Sequence, residues 1–114
     1  MHPTIVEFPN CHAEIDRRNL EHDRAIAAAL RRHPELVEVA RDNLKRWMAN
    51  DGDHVHPAFE EWNDILFFLT TEQLADFLES DTPKANRLRQ SSPFVGILRR
   101  EADLLSISHA APAA

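Results

Sequence analysis

A chain of 114 residues, 43% of them hydrophobic and 28% charged, has room for one domain around one core and no room for a typical two-lobed enzyme. Two glycines against seven prolines argue for helices punctuated by prolines, not a turn-rich β fold. The net charge of −6 is concentrated: residues 51 to 82 hold nine acids and no base, and residues 83 to 114 hold five bases against two acids, which sets an acidic block beside a basic one.

The opening "HPTIVEFPNCH" carries β-branched residues and two prolines, so an extended arm is expected over residues 1 to 12. Its layout lacks the basic and then apolar order of a secretory signal. Residues 13 to 33 contain no Pro or Gly, and Ile15, Ile26, Ala29 and Leu30 recur at about 100° per residue along one side of a helix. Asn19 and His22 fall on that same side. They are expected to be half-buried if the helix packs along its whole length, or to face a partner.

Pro34 suits the first turn of a second helix, where its missing N–H costs nothing. Leu36, Val37, Ala40, Leu44, Trp47 and Met48 form one stripe that ends at "NDG", where Asn50 or Gly52 can stop the helix. Pro57 repeats the device for a third helix lined by Phe59, Trp62, Ile65, Leu66 and Leu69. Trp47 and Trp62 each sit mid-stripe, so the two helices are expected to pack through them. Thr70 and Gln73 have capping-box spacing for a fourth helix bearing Leu74, Phe77 and Leu78. Asp81 or Thr82 caps a fifth that begins at Pro83. After the break "SSPFVG", the residues Ile97, Leu98, Ala102, Leu104 and Leu105 support a sixth. The expected fold is all-α: a compact single-domain bundle of five or six short helices over residues 13 to 107, with the N-terminal arm before it and a disordered tail over 108 to 114.

Chemistry is sparse. Asp51, Asp53, His54 and His56 share a loop, but catalytic zinc sites usually set two ligands one helical turn apart, and His54 and His56 alternate on irregular chain ending in proline. Cys11 and His12 would join them only if the arm folded over that loop. The lone Cys11 cannot form an internal disulfide, no glycine-rich turn surrounds any serine, and no phosphate-cradling loop exists. The paired carboxylates lie on helix surfaces without an apolar pocket to raise one pKa. The expectation is a protein that is not an enzyme and holds no metal or cofactor. No apolar run approaches the roughly 18 residues of a membrane span, and the reducing cytoplasm is the expected compartment.

Two binding readings remain. The segment "TTEQLADFLESDTPKANRLRQSSPF" has the outline of a helix-turn-helix in which Asn86, Arg87 and Gln90 would face the major groove, being residue types that contact adenine and guanine there. Against DNA, Glu72, Asp76 and Glu79 on the preceding helix would meet the phosphate backbone, and the turn lacks the glycine often used there. The same acids support the other reading. Glu60, Glu61 and Asp64 group on the third helix and Glu72, Asp76 and Glu79 on the fourth, offering a basic protein partner phosphate-like charge; the plain alternative is that both ridges only face solvent.

The runs "HPELVEVARDNLKRW", "HPAFEEWNDIL" and "RLRQSSPFVGIL" resemble a group of small helical bacterial antitoxins of toxin–antitoxin loci. The likeness covers roughly residues 19 to 98, is most distinctive from Arg87 to Phe94, and lapses after Leu98. It implies a binding protein without catalytic residues. The expectation is therefore an antitoxin-like inhibitor whose six acids contact a basic toxin of the nuclease or nucleotidyltransferase class. A small DNA-binding regulator acting on its operator through Asn86, Arg87 and Gln90 is the alternative, and homo-oligomers are compatible with either.

Overall fold

The computed structural model describes the backbone of residues 3 to 110 and the side chains of residues 14 to 106. Among them are six helices: α1 (Pro3–Arg32), α2 (Val37–Asp51), α3 (Pro57–Phe68), α4 (Thr71–Glu79), α5 (Pro83–Arg89) and α6 (Ile97–Ala110), with a 3-10 turn (Pro34–Leu36) leading into α2. No strand occurs among the described residues. The expected all-α bundle is what forms.

The chain punctuation behaves as its chemistry dictates. His33, held extended (φ −135°) by the proline after it, separates α1 from the 3-10 turn. Gly52, at φ 64°, ends α2, a conformation that costs a residue without Cβ little. The capping box of α4 closes both ways: Gln73 N donates to Thr70 Oγ1 at 3.2 Å and Thr70 N donates to Gln73 Oε1 at 2.9 Å. For α5 the cap is Thr82, whose Oγ1 accepts from Ala85 N at 3.2 Å.

α1 is the spine, packing on α4, α5, α6 and the 3-10 turn, while α2 packs on α3. Its inward residues are Leu20, Asp23, Ile26, Ala27, Ala29 and Leu30. Asn19 and His22, expected on the packed side, are exposed together with Ile15: among the described side chains of α1 burial begins at Leu20, and beyond it the inward line runs through Asp23 and Ile26, which leaves His22 outside it. The start of α1 also differs from expectation. In place of an extended arm over residues 1 to 12, the helix begins at Pro3 and runs through Pro9; Pro3 is tolerated in the first turn and β-branched residues cost a helix only a few tenths of a kcal/mol each, while the interior Pro9 has no such local explanation. The side chains of Cys11 and His12 lie outside the described residues. At the other end α6 continues through residues 108 to 110, and residues 111 to 114 lie outside the described part.

The two tryptophans do not share one contact. Trp47 is half-buried and meets Phe59, with ring centroids 5.4 Å apart. Trp62 is 0% exposed. It stands edge-on to Phe77 and Phe94 at 5.9 and 5.4 Å and donates its indole N–H to the Leu88 carbonyl at 3.0 Å. Trp62 thus turns toward α4 and α5, where a buried carbonyl at the end of a short helix satisfies its donor.

The segment after α5 is held by side chains from other helices. Asn43 of α2, buried, donates from Nδ2 to the carbonyls of Pro93 and Val95, both at 2.9 Å, and accepts from Arg46 at 2.8 Å. Phe94 and Ile97 then enter the core. Arg32 at the end of α1 makes two bonds of 2.8 and 2.7 Å to the buried Glu101, docking α6 onto α1.

Candidate protein-binding surface

The acidic ridge of α4 has an internal cation. Leu74, Ala75 and Leu78 are buried, which turns Glu72, Asp76 and Glu79 outward along the edge facing α1. There Arg31 of α1 is met by all three. Its Nε donates to Glu72 (2.9 and 3.2 Å), its Nη2 to Asp76 (2.8 Å), and its Nη1 and Nη2 to Glu79 (2.9 and 3.0 Å). The hydrogen bonds from Arg31 hold the Glu79 carboxyl below the usual range and raise the guanidinium further still. Arg31 among the three acids it bonds leaves that cluster at −2, with Arg24 a further cation near Glu79, and the Glu72 and Asp76 side chains remain 66% and 72% exposed. The ridge is therefore a fixed anionic patch, its carboxylates oriented by a guanidinium at the junction of two helices.

The acids of α3 divide. Glu61 receives Arg87 of α5 through two parallel bonds of 3.0 and 2.9 Å, and this bidentate contact pulls its carboxyl pKa down. Glu60 and Asp64 are exposed and take part in no ion pair among the described residues. Of the six acids read from the sequence as a partner surface, four are thus engaged within the molecule and two are free.

The residues expected to read DNA are mostly engaged as well. Arg87 is spent on Glu61. Asn86 donates to Asp81 at 2.9 Å and accepts from Arg89, leaving Gln90 as the member of the trio with no side-chain bond among the described residues. α5 is seven residues long, with Ala85, Leu88 and Arg89 buried beneath it.

Arg89 is the centre of a buried polar knot absent from the sequence reading. Its side chain and that of Asp23 are 3% and 5% exposed, joined at 3.2 Å from Nε to Oδ2. Nη2 donates to the carbonyls of Leu78 at 2.9 Å and of Ser80, so one guanidinium ties α1, the end of α4 and α5 together. Burial raises the Asp23 carboxyl to about 6, against the opposing pull of Arg89 and His22. A signal existed: Asp23 stands between Leu20 and Ile26 on the apolar stripe of α1, where an unpaired carboxylate would be costly.

Two exposed aromatics were also missed. Phe67 and Phe68 end α3 at 77% and 72% exposure, rings edge-to-face at 4.9 Å. Their position off the stripe of Trp62, Ile65, Leu66 and Leu69 was legible. The loop of Asp51, Asp53, His54 and His56 serves α3 as a cap: His56 Nδ1 accepts from Ala58 N at 3.1 Å, and Asp51 accepts from His56 N at 3.1 Å. No three His, Cys, Asp or Glu residues among the described ones gather as a metal site. No described helix is long and apolar enough to cross a membrane. Comparison with protein families, curated proteins and solved structures finds no match to this chain.

Proposed function

We propose that this protein is a non-catalytic, antitoxin-like inhibitor that acts in the cytoplasm and neutralises a co-expressed basic toxin by direct contact through the acidic faces of α3 and α4. The observation that carries the reading is the α4 ridge. Glu72, Asp76 and Glu79 are fixed around Arg31 with a residual charge of −2 and two highly exposed side chains. Pre-orienting charged side chains before encounter lowers the ordering cost of binding, and a patch of one sign steers an oppositely charged partner. Glu60 and Asp64 add a second exposed anionic face on α3. A toxin that handles nucleic acid, of the nuclease or nucleotidyltransferase class, presents a cationic groove of matching chemistry.

The DNA-binding alternative through Asn86, Arg87 and Gln90 draws less support. To read a base, Arg87 would have to leave Glu61, and the ridge on α4 would stand beside the phosphates.

The test is co-expression with the product of the neighbouring reading frame. If that product arrests growth alone, co-expression of this chain is expected to restore it, and the two proteins should co-purify. A growth arrest left untouched, with no complex recovered, would remove the antitoxin reading.

A further inference from the structure

A cleft of about 570 Å³ opens between the end of α2, the start of α3 and the segment after α5, a size ordinary for a ligand site. Its apolar side is made by the half-buried rings of Trp47 and Phe59, centroids 5.4 Å apart, and by the exposed Val95. Its polar side includes Asn50, Asp51 and Gln90. These walls are set in advance. Asn43 holds the Pro93 and Val95 carbonyls, and the Asp51 carboxylate is oriented by the His56 N–H that donates to its Oδ2 at 3.1 Å.

The lining selects its occupant by charge, because Asp51 is the one ionised side chain in it and no Lys, Arg or His contributes. The bases nearby in sequence are turned elsewhere. Lys45 and Arg46 line other clefts, Arg87 is paired with Glu61, and Arg89 is buried against Asp23. His56, beside the Phe59 ring, accepts from Ala58 N through Nδ1, which only the uncharged imidazole can do. A carboxylate next to a tryptophan face suits a flat cation, since a guanidinium can stack on the ring, pair with the acid and donate its remaining N–H groups to amide oxygens such as those of Asn50 and Gln90. An anion would be repelled by Asp51, and a neutral ring would leave that charge unmatched.

We propose that this cleft receives the guanidinium of an arginine side chain from the basic partner, its plane against Trp47 and its N–H groups directed to Asp51 and Gln90. The source of that arginine rests on the reading of a basic partner. Asp51 also borders a neighbouring cleft that includes Glu60, so the site adjoins the acids assigned to that partner on α3.

Titration of the full chain with N-acetyl-arginine amide at constant ionic strength, followed through the indole N–H resonances, tests the site with no partner present. The Trp47 resonance, assigned by its loss from Trp47→Phe, should move saturably with a Kd on the order of 1–10 mM, as befits a single side chain, while that of the enclosed Trp62 stays in place. N-acetyl-citrulline amide, of the same shape without the charge, should bind about ten-fold more weakly. Asp51→Asn keeps an oxygen for the His56 N–H, so it should leave the circular dichroism spectrum unchanged and weaken the arginine probe by a similar factor. A Trp47 resonance that the arginine probe leaves unmoved overturns the proposal. So does equal binding of the citrulline probe, or undiminished arginine binding by Asp51→Asn. Each of these failures leaves the antitoxin reading standing, because co-expression with the neighbouring gene's product judges that separately.

Discussion

Trp62 and Asp23 illustrate how single residues set the stability of this fold in opposite ways. Trp62 is enclosed by Phe77 and Phe94 and hydrogen-bonded to Leu88, so Trp62→Ala should cost about 3–5 kcal/mol, the range for emptying a large aromatic from a core. Trp62→Phe should cost about 1–3 kcal/mol, from the smaller ring and the lost indole hydrogen bond, while the Leu88 carbonyl still accepts from Ser91 N at 3.0 Å. Trp47→Ala, at a half-buried site, should cost less than Trp62→Ala. Denaturant unfolding of the three variants checks that order. Asp23 carries the opposite sign. Burial lifts its carboxyl from 3.8 to about 6 in the folded protein, so the folded state holds this proton more tightly than the unfolded chain does. Its contribution is fully present below about pH 4 and is lost as pH rises through about 6. Glu61, Glu79 and Glu101, whose pKa values are lowered by Arg87, Arg31 and Arg32, contribute stability that is lost as pH falls below the ordinary carboxylate range. Unfolding free energy should therefore pass through a maximum near about pH 5. The decline above the maximum should be absent from Asp23→Asn; a wild-type profile that rises from pH 5 to 7 would contradict the account.

At the scale of elements, local chemistry decided where helices start and stop, and side chains from other helices decided how the connections lie. Pro34, Pro57, Gly52 and the pair Thr70 and Gln73 act within a few residues of themselves, so their roles were legible from spacing alone. The course of residues 90 to 96 was not, because its carbonyls are satisfied by Asn43, 50 residues away in sequence from Pro93. An asparagine beside an apolar stripe reads as a surface residue until the loop that covers it is known. Asn43→Ala should leave the Pro93 and Val95 carbonyls without their donor and cost about 1–3 kcal/mol, with faster amide exchange from Phe94 to Ile97; unchanged exchange there would mean the loop is held by the Phe94 ring alone. The acidic ridges show the same divide. Periodicity placed Glu72, Asp76 and Glu79 on one face, but only the packing of α1 on α4 brings Arg31 into their midst. Likewise Glu61 and Arg87 meet because α5 returns beside α3. The helix-turn-helix outline between α4 and α5 is real as a pattern of caps. Its outer side chains are turned into internal bonds by neighbours the pattern does not contain.

The whole molecule is an α bundle whose polar knots lie between elements: Arg89 with Asp23 at the crossing of α1, α4 and α5, Arg32 with Glu101 between α1 and α6, and Arg31 with three acids between α1 and α4. The first two are buried at their acidic ends and bind the fold. The third is exposed, over-supplied with carboxylate, and free to meet a partner, which is why the proposed function rests on it. Its charge can be removed without removing its geometry. Glu72→Gln/Asp76→Asn keeps an oxygen to accept from Arg31, leaves the bidentate Glu79 contact in place, and takes the cluster from a net −2 to neutral. The decisive measurement is stopped-flow association of wild type and this double variant with the product of the neighbouring reading frame across ionic strengths, after circular dichroism has confirmed the fold. Charge steering acts on the association rate and fades as salt screens it, over a Debye length of about 10 Å at 0.1 M. The wild-type rate should fall steeply with salt, and the double variant should associate several-fold more slowly at low salt with a shallower dependence. Equal rates and equal salt slopes for the two proteins would contradict the assignment of the α4 ridge as the partner-binding surface.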